Sequence, residues 1–447
     1  MTTPQAIDWN SLASELTGIE IINDPTQVAK LSLDYYHFSP VLESQLKDKR
    51  GNMVVRPTTV AEVLEIARVC VKYKAPLTVR GSGTGNYGQC IPLNGGLILD
   101  TTRMNQINWI KPGLASVQPG VKLAAFDKEA HKIGWELRMA PSTYRTATIG
   151  GFIGGGSGGI GSITYGVLRD RGNLHAVQVV TLEDQPRVIE LRSDQVQKVN
   201  HAYGTNGIIT ELEIPLGPVY PWAEVIVVFD DFMTAARFGQ ALGDADGLIK
   251  KLISIHAWPI PSYFAALSNY LPQAKHCALL MIAESSLEPF QDLVREYAGE
   301  VTYQKTALEA SKGVSLAEFT WNHTTLHARS VDPSLTYLQT SFVNLEQVEY
   351  FYHHFGDEVI MHLEFMRVAG KLIPVGLQIL RYSSEERLNE IIRYHEEYGA
   401  MIANPHTYIL EDGGMKTVDM EQLRFKEIVD PYGLMNPGKM RASQLTP

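Results

Sequence analysis

The clearest pattern in the chain runs from Met53 to Val79. Three apolar residues at 53–55 stop at Arg56-Pro57, which predicts a short buried strand. Thr58 or Thr59 then stands where a helix cap belongs, and Glu62 follows Thr59 at capping-box spacing. Val60, Val63, Leu64, Ala67, Cys70 and Val71 recur at helical intervals and make one apolar face. Pro76 ends that run, and Leu77-Thr78-Val79 predicts the next strand. The unit has the length of a right-handed strand–helix–strand crossover. Further strands are expected at 97–99, 115–121 and 175–184. Pro215, Pro218 and Pro221 then punctuate a boundary. Beyond it, strands at 223–229 and 276–284 interleave with helical stretches. One helix is opened by Ser383, with Glu386 completing a capping box and Gly399 closing it. Leu388, Ile391, Ile392 and Tyr398 share its apolar face, where His395 is expected to pack. The second half therefore reads as α+β with a mostly antiparallel sheet.

Composition narrows the class. Hydrophobic residues at 45% and charged residues at 20% are globular values. A net charge of −10 disfavours a nucleic-acid binder, which needs a basic face. Cys70, Cys90 and Cys277 form no CxxC pair, so neither a disulfide framework nor a zinc or iron–sulfur site is expected. No 18 apolar residues run together, so no transmembrane helix is expected. The stretch MTTPQAIDWNSLASEL lacks a basic region followed by an apolar run. No signal peptide is expected there, and a cytoplasmic location follows as the expectation.

Two glycine loops carry the chemistry. Arg80-Gly81-Ser82-Gly83-Thr84-Gly85-Asn86 directly follows a predicted strand. Alternate glycines let the backbone turn with positive φ and present successive N–H groups to one point, which suits a phosphate; the bland reading is a tight surface turn. A GxGxxG match at Gly83, Gly85 and Gly88 is no nicotinamide fingerprint, because Pro92, Gly95 and Gly96 follow and no helix can open at the loop. The second loop runs from Thr148 to Gly161, where eight of residues 150–161 are Gly. Gly in regular structure costs roughly 0.5–1 kcal/mol relative to Ala, so such a run needs a reason. A flat ligand lying against bare backbone is one; a flexible linker is the other. A third element, Gly204-Thr205-Asn206-Gly207, turns into another buried strand.

VVRPTTVAEV, TVRGSGTGNYG, PST…TIGGFIGGGSGG…YG and GTNGIIT occur in that order, and the late segment DPYGLMNPGK (430–439) follows. This series resembles the flavin domain of the vanillyl-alcohol oxidase / para-cresol methylhydroxylase superfamily, D-lactate/glycolate dehydrogenase-like FAD-linked oxidases in particular. The resemblance implies an α+β fold: a two-subdomain, PCMH-type FAD-binding domain over 1–219 and an α+β substrate or cap domain on an antiparallel sheet over 220–405. A segment at 406–447 would return to the FAD domain. It implies FAD, with Arg80, Gly81, Ser82, Gly83, Thr84, Gly85 and Asn86 around the pyrophosphate. Pro141, Ser142 and Thr148 would line the other side. Gly151, Gly155, Gly156, Ser157 and Gly158 would pass close to the flavin. Gly204, Gly207 and Ile209 would reach the adenine end, and Tyr165 and Asn436 would complete the cofactor set. In many relatives a His in the first loop is joined to the flavin; here Thr84 stands there. In a second subgroup a Cys is joined as well; here Tyr144 stands there. Cys90 matches neither position, so non-covalent FAD is expected.

The substrate side is carried by WNHTTLHAR (321–329). If helical, it puts His323 and His327 one turn apart on one face, and Arg329 beyond them. A His is the common base near neutral pH, and Arg can clamp a carboxylate with two hydrogen bonds. Two packed histidines are the bland alternative. Thr324 replaces the Glu that a HExxH zinc protease needs. His406, expected before a strand returning toward the flavin, is a rival base. Relatives carry a metal-assisting HxGDGNxH element, but after His354-Phe355-Gly356-Asp357 the spacing to His362 is one residue longer and the Gly-Asn is missing. No metal is expected. The resulting expectation is an FAD-dependent dehydrogenase or oxidase that removes a hydride from a C–OH carbon to flavin N5. Its substrate would be a small molecule, a 2-hydroxy acid first, and a separate acceptor would take the electrons. The alternatives are an oxygen-using alcohol or sugar oxidase and an FAD-binding subunit of a multi-subunit dehydrogenase.

Overall fold

A computed structural model describes residues 7–415 and 417–441. Residues 1–6 of the stretch read for a signal peptide, and 416 and 442–447 of the returning segment, lie outside them.

The chain first builds a small sheet from β1 (Glu20–Ile22), β2 (Met53–Arg56), β3 (Leu77–Arg80) and β4 (Leu97–Asp100), ordered β1-β2-β4-β3. β2 and β3 both pair in parallel with β4. The helix between them, α1 (Val60–Tyr73), therefore carries the chain one strand over and leaves a slot that β4 fills. Its cap uses both threonines. Thr59 accepts from the Glu62 amide at 3.2 Å, while the Glu62 carboxylate reaches back to the Thr58 amide at 2.6 Å. Val63, Ile66, Ala67 and Cys70 are fully buried, each larger aliphatic contributing about 1.5–3 kcal/mol.

A second sheet holds β5 (Ile107–Lys111), β6 (Leu114–Val117), β7 (Trp135–Leu137), β8 (Ala176–Val180), β9 (Val188–Arg192) and β10 (Ile208–Pro218). Its order is β5-β6-β10-β8-β9, with β7 on the far end of β10. Pro215 lies inside β10 without breaking it. The β8 ladder ends at Glu213, so a missing N–H two residues later removes no bond to that neighbour. The glycine-rich run is half helical: α2 (Ile149–Gly155) starts at Thr148, whose hydroxyl accepts from the Gly151 amide. A one-turn helix, Ser162–Tyr165, follows.

The largest core lies in the second half. An antiparallel sheet of eight strands runs in the order β14-β11-β13-β12-β18-β19-β16-β21. These are β11 (Trp222–Phe229), β12 (Lys250–His256), β13 (His276–Ala283), β14 (Glu300–Lys305), β16 (Thr340–Ser341), β18 (His362–Val368), β19 (Lys371–Gly376) and β21 (Met401–Ile402). A three-stranded sheet, β15 (Leu335–Tyr337), β17 (Val359–Ile360) and β20 (Ile379–Arg381), stands beside it. α3 (Asn322–Val331) and α4 (Glu385–Glu397) pack against this half. The cap of α4 is Ser384, whose hydroxyl accepts from the Arg387 amide; the expected Ser383 is one residue early.

Both ends of the chain cross between the halves. The Phe38 carbonyl accepts from Thr336, and Val41 joins the core of the large sheet. The Leu77 amide donates to Leu434, and the Asn436 amide donates back to Leu77, so the late segment lies along β3. His406 is followed by a helical turn (Glu411–Met415), not by the expected strand.

Candidate cofactor and substrate site

A cavity of about 510 Å³ opens between the first, second and eight-stranded sheets, and the first glycine loop forms one wall. Arg80, Gly81, Ser82, Gly83, Thr84, Gly85 and Asn86 all line it. The guanidinium of Arg80 is not held out to a ligand. It donates to the carbonyls of Leu31, Leu33, Gly81 and Ser82, and the residue is 7% exposed. Arg80 thus ties the loop to the N-terminal segment, and any anion there is left to the loop's amides. Gly83 has φ +68°, and a Cβ on it would lie 2.0 Å from Arg80 Nη2. The loop also closes on the second wall, since a Cβ on Gly81 would lie 2.1 Å from Thr148 Oγ1.

That second wall is α2 and the glycines just after it. Thr148, Gly151, Gly155, Gly156, Ser157 and Gly158 line the cavity, with Pro141, Ser142, Gly204, Gly207 and Ile209. Gly154 lines it too, and a Cβ there would meet nothing within 4 Å. Bare helical backbone therefore faces open space on the cavity side, which suits a flat ring system. Thr84 lies on the wall, whereas Tyr144 does not: its hydroxyl donates to Asp127 at 2.8 Å. Cys90 reaches the wall, but burial pushes its thiol up to about 12, so it stays protonated and unreactive.

The third wall comes from the large-sheet half. His323 Nδ1 lies 3.2 Å from Glu318 Oε2, and Arg145 Nε lies 2.8 Å from Glu318 Oε1. The hydrogen bond from His323, ahead of burial, holds the Glu318 carboxyl below its ordinary value. With Nδ1–H directed at a carboxylate, the other ring nitrogen of His323 is the basic one. Trp321, Asn322 and Leu326 continue this wall with Met366, Val375 and Leu377. Tyr87 of the first loop hydrogen-bonds Gln339 across the gap.

Several residues expected here are elsewhere. His327 stacks on Phe319 at 4.7 Å between ring centroids, with Nε2 against the Glu318 carbonyl, and burial lowers its pKa. It shares a helix face with His323 by spacing, but Phe319 covers it. Arg329 donates to the Leu335 carbonyl and lies over the Phe38 ring, so no clamp faces the cavity from it. His406 is buried between Ser39 Oγ and the Tyr337 carbonyl, and burial lowers it to about 4. Tyr165 packs under Arg138, off the cavity. Asn436 donates to the carbonyls of Gln89 and Tyr203 and acts as a strut behind the loop. His354 stacks on Tyr394 while His362 lies inside the large sheet, so the broken HxGDGNxH element brings no two ligands together. Among the described residues, no group of three or more His, Cys, Asp or Glu could hold a metal ion. None of the described helices is long and apolar enough to cross a membrane.

Sequence reasoning missed Glu318, Arg145, Trp321 and Asn322 as a set. Trp321 and Asn322 stood inside the singled-out motif; Glu318 and Arg145 carried no local signal.

Residues 52–188 match the family described as FAD binding domain. The glycolate oxidase subunit GlcD of Escherichia coli (strain K12) is 28% identical over 254 residues, which cover 54% of this chain and 48% of that protein. A D-lactate dehydrogenase of Anaerostipes hadrus is 30% identical over 181 residues, 38% of this chain and 37% of that one. The chain thus spans about half the length, or less, of the curated relatives it matches. Among solved structures, an alkyldihydroxyacetonephosphate synthase superposes with TM-score 0.73 at 16% identity, covering 98% of this chain and 86% of the other. A 4-ethylphenol oxidase from Gulosibacter chungangensis gives 0.68 at 17% identity, covering 98% of each. At these identities the structures speak for the fold alone. One is named a synthase and the other an oxidase, so the fold does not fix the chemistry.

Proposed function

We propose that this chain, a member of the FAD-linked oxidase family whose residues 52–188 are its FAD binding domain, oxidises a CH–OH carbon of a small 2-hydroxy acid, with His323 as the base. The observation that carries the reading is the Glu318–His323 pair on the wall facing the glycine loops. Bound FAD would supply the hydride acceptor. The residues present fit it: two stretches of bare glycine backbone, one a helix with open space beside Gly154, face the same cavity. Thr84, Tyr144 and the protonated Cys90 thiol offer no attachment point, so the cofactor is held without a covalent bond.

The protein's own part is binding and proton handling. Glu318 fixes the His323 tautomer, leaving its other ring nitrogen to take the hydroxyl proton as the C–H bond breaks. Tyr87, Gln339 and the apolar side chains of Met366, Val375 and Leu377 close the space against water. Arg145 is the lining cation not given over to backbone carbonyls, and we assign it the substrate carboxylate. The electrons then pass to a separate acceptor. The names of the glycolate and D-lactate relatives support the hydroxy-acid choice. One observation favours a neutral alcohol instead: Arg145 is already neutralised by Glu318, and the wall beyond it is apolar. Anaerobic bleaching of the flavin by glycolate, D-lactate, aromatic alcohols and sugars, each at saturating concentration, separates the two. Bleaching by alcohols alone rejects the hydroxy acid, and bleaching by none rejects the reaction.

A further inference from the structure

Behind Trp321, away from the cavity, lies a buried polar cluster that the proposed reaction does not use. Ser254 and His256 on β12 stand opposite Glu364 and His362 on β18 in the ladder. The two imidazoles stack at 4.4 Å, and none of the four residues is more than 1% exposed.

Its hydrogen bonds tie it together. His362 Nδ1 lies 3.1 Å from the Leu377 carbonyl, which can only accept. His362 Nε2 lies 2.9 Å from Glu364 Oε1 and 3.2 Å from Ser254 Oγ. Glu364 Oε1 also takes the Ser254 hydroxyl at 2.7 Å and the Trp321 amide at 2.7 Å. Three groups thus converge on that one oxygen, and His362 bridges it to the Leu377 carbonyl. Ser254, having spent its hydrogen on Glu364, accepts from His256 Nε2–H at 2.9 Å. His256 Nδ1 is left buried with no partner. Burial and the neighbouring His362 hold His256 well below its ordinary pKa. The cluster is thus a buried polar network in which His362, Ser254 and the Trp321 amide meet at Glu364 Oε1.

The remaining donor is the one that matters for the cavity. Trp321 has φ +52° and ψ −140°, a conformation that side-chain-bearing residues rarely adopt. It is also the residue from which α3 departs, and Trp321, Asn322 and His323 all line the cavity. The Trp321 Nε1 and Asn322 Oδ1 atoms are buried there without partners. We propose that Glu364, held in place by Ser254 and His362, is a positioning residue: it pins the backbone of Trp321 in its left-handed turn and so aims Asn322 and His323 at the substrate. The inference rests on the reading of His323 as the base.

The tests use the full-length, FAD-loaded chain. In residue-resolved hydrogen exchange of the unaltered protein, the Trp321 amide is expected to be protected and the Asn322 amide, which begins the helix, far less so. Equal exchange at the two overturns the tether, and this measurement needs no variant to fold. In Glu364→Gln, exchange across 319–325 should rise. The rate of flavin reduction should fall by roughly a hundredfold, with FAD content and substrate affinity nearly unchanged, as a misaimed base requires. Unchanged exchange and unchanged rate together overturn the positioning role. If His323→Ala reduces its flavin at the normal rate, the base reading has failed, and the exchange results still judge Glu364 independently.

Discussion

Replacing Gly83 with Val tests the first wall at its tightest point. At φ +68° an L-residue costs about 1–2 kcal/mol, more when β-branched. The new Cβ would lie 2.0 Å from Arg80 Nη2, 2.7 Å from its Cζ and 3.1 Å from the Leu33 carbonyl oxygen. The guanidinium must therefore move, and the backbone behind it blocks a simple slide. Each charged hydrogen bond it gives up contributes roughly 1.5–3 kcal/mol, and at least two of its four carbonyl contacts cannot survive the move. Strain and lost bonds together come to about 4–8 kcal/mol. At about 1.4 kcal/mol per decade, FAD affinity should fall by roughly three orders of magnitude or more. Gly154→Ala is the counterpart. Its Cβ meets nothing in the protein, and Ala in a helix is better than Gly by about 0.5–1 kcal/mol. The flavin-free Tm should rise while FAD affinity drops, because the methyl enters the space the ring needs. The assay is the flavin-to-protein ratio on purification, then fluorescence titration of stripped protein, with flavin-free melting alongside. A Gly83→Val protein with full flavin, or a Kd within tenfold of normal, would refute the account of the loop. Unchanged affinity in Gly154→Ala would refute the placement of the ring beside α2.

His323→Ala should slow flavin reduction by roughly a hundredfold or more, measured in single turnover, with FAD affinity unchanged. Arg145→Met should raise KM for a 2-hydroxy acid and leave a neutral alcohol unaffected; equal effects on both would remove Arg145 from carboxylate binding. Acid precipitation should release all flavin into the supernatant, and colour left on the pellet would mean a covalent bond. Burial holds His201, His395 and His406 at about 4, against 6.5 when exposed. The unfolded chain takes up protons near pH 6.5 that the folded chain refuses, so stability is full above 6.5 and falls as pH drops toward 4. Each ring removes about 1.4 kcal/mol per pH unit in that window. Melting temperature against pH checks this, and a flat profile from 6.5 to 4 would contradict the buried neutral rings.

The glycine walls were legible because their chemistry is local. Three alternate glycines after a strand, and eight in twelve residues, mark bare backbone wherever the chain then goes. The strands at 53–55, 77–79 and 97–99 were legible for the same reason. What could not be read were meetings across distance. His323 was singled out, but Glu318 reaches it only because a short helical turn (Leu316–Phe319) and the unusual backbone of Trp321 fold five residues back on themselves. That turn owes its shape to Glu364, more than forty residues later. His327 shares the spacing but not the exposure, since Phe319 lies flat against it. His406 is held by Ser39, 367 positions away, and Arg329 by its own helix's exit. Nothing periodic in the sequence marks such partners. The arginine of the first loop was legible as important, yet the structure turns it inward, toward carbonyls of residues 31 and 33.

That inward turn separates two functions along the chain. With Arg80 committed to backbone carbonyls, an anion bound at the first glycine loop would be recognised through amides, which depend on loop shape and not on side-chain identity. Shape there is fixed by Arg80 inside the loop and by struts behind it: Asn436 on Gln89 and Tyr203, and Lys439 on Gly88. The opposite wall has no such redundancy. Its proposed acid–base line is Arg145, Glu318 and His323, and the aim proposed for it depends on one carboxylate behind Trp321. A substitution between 318 and 403 can therefore change substrate or rate while the cofactor walls keep their shape. A substitution at 81, 83 or 436 threatens the cofactor before any substrate binds.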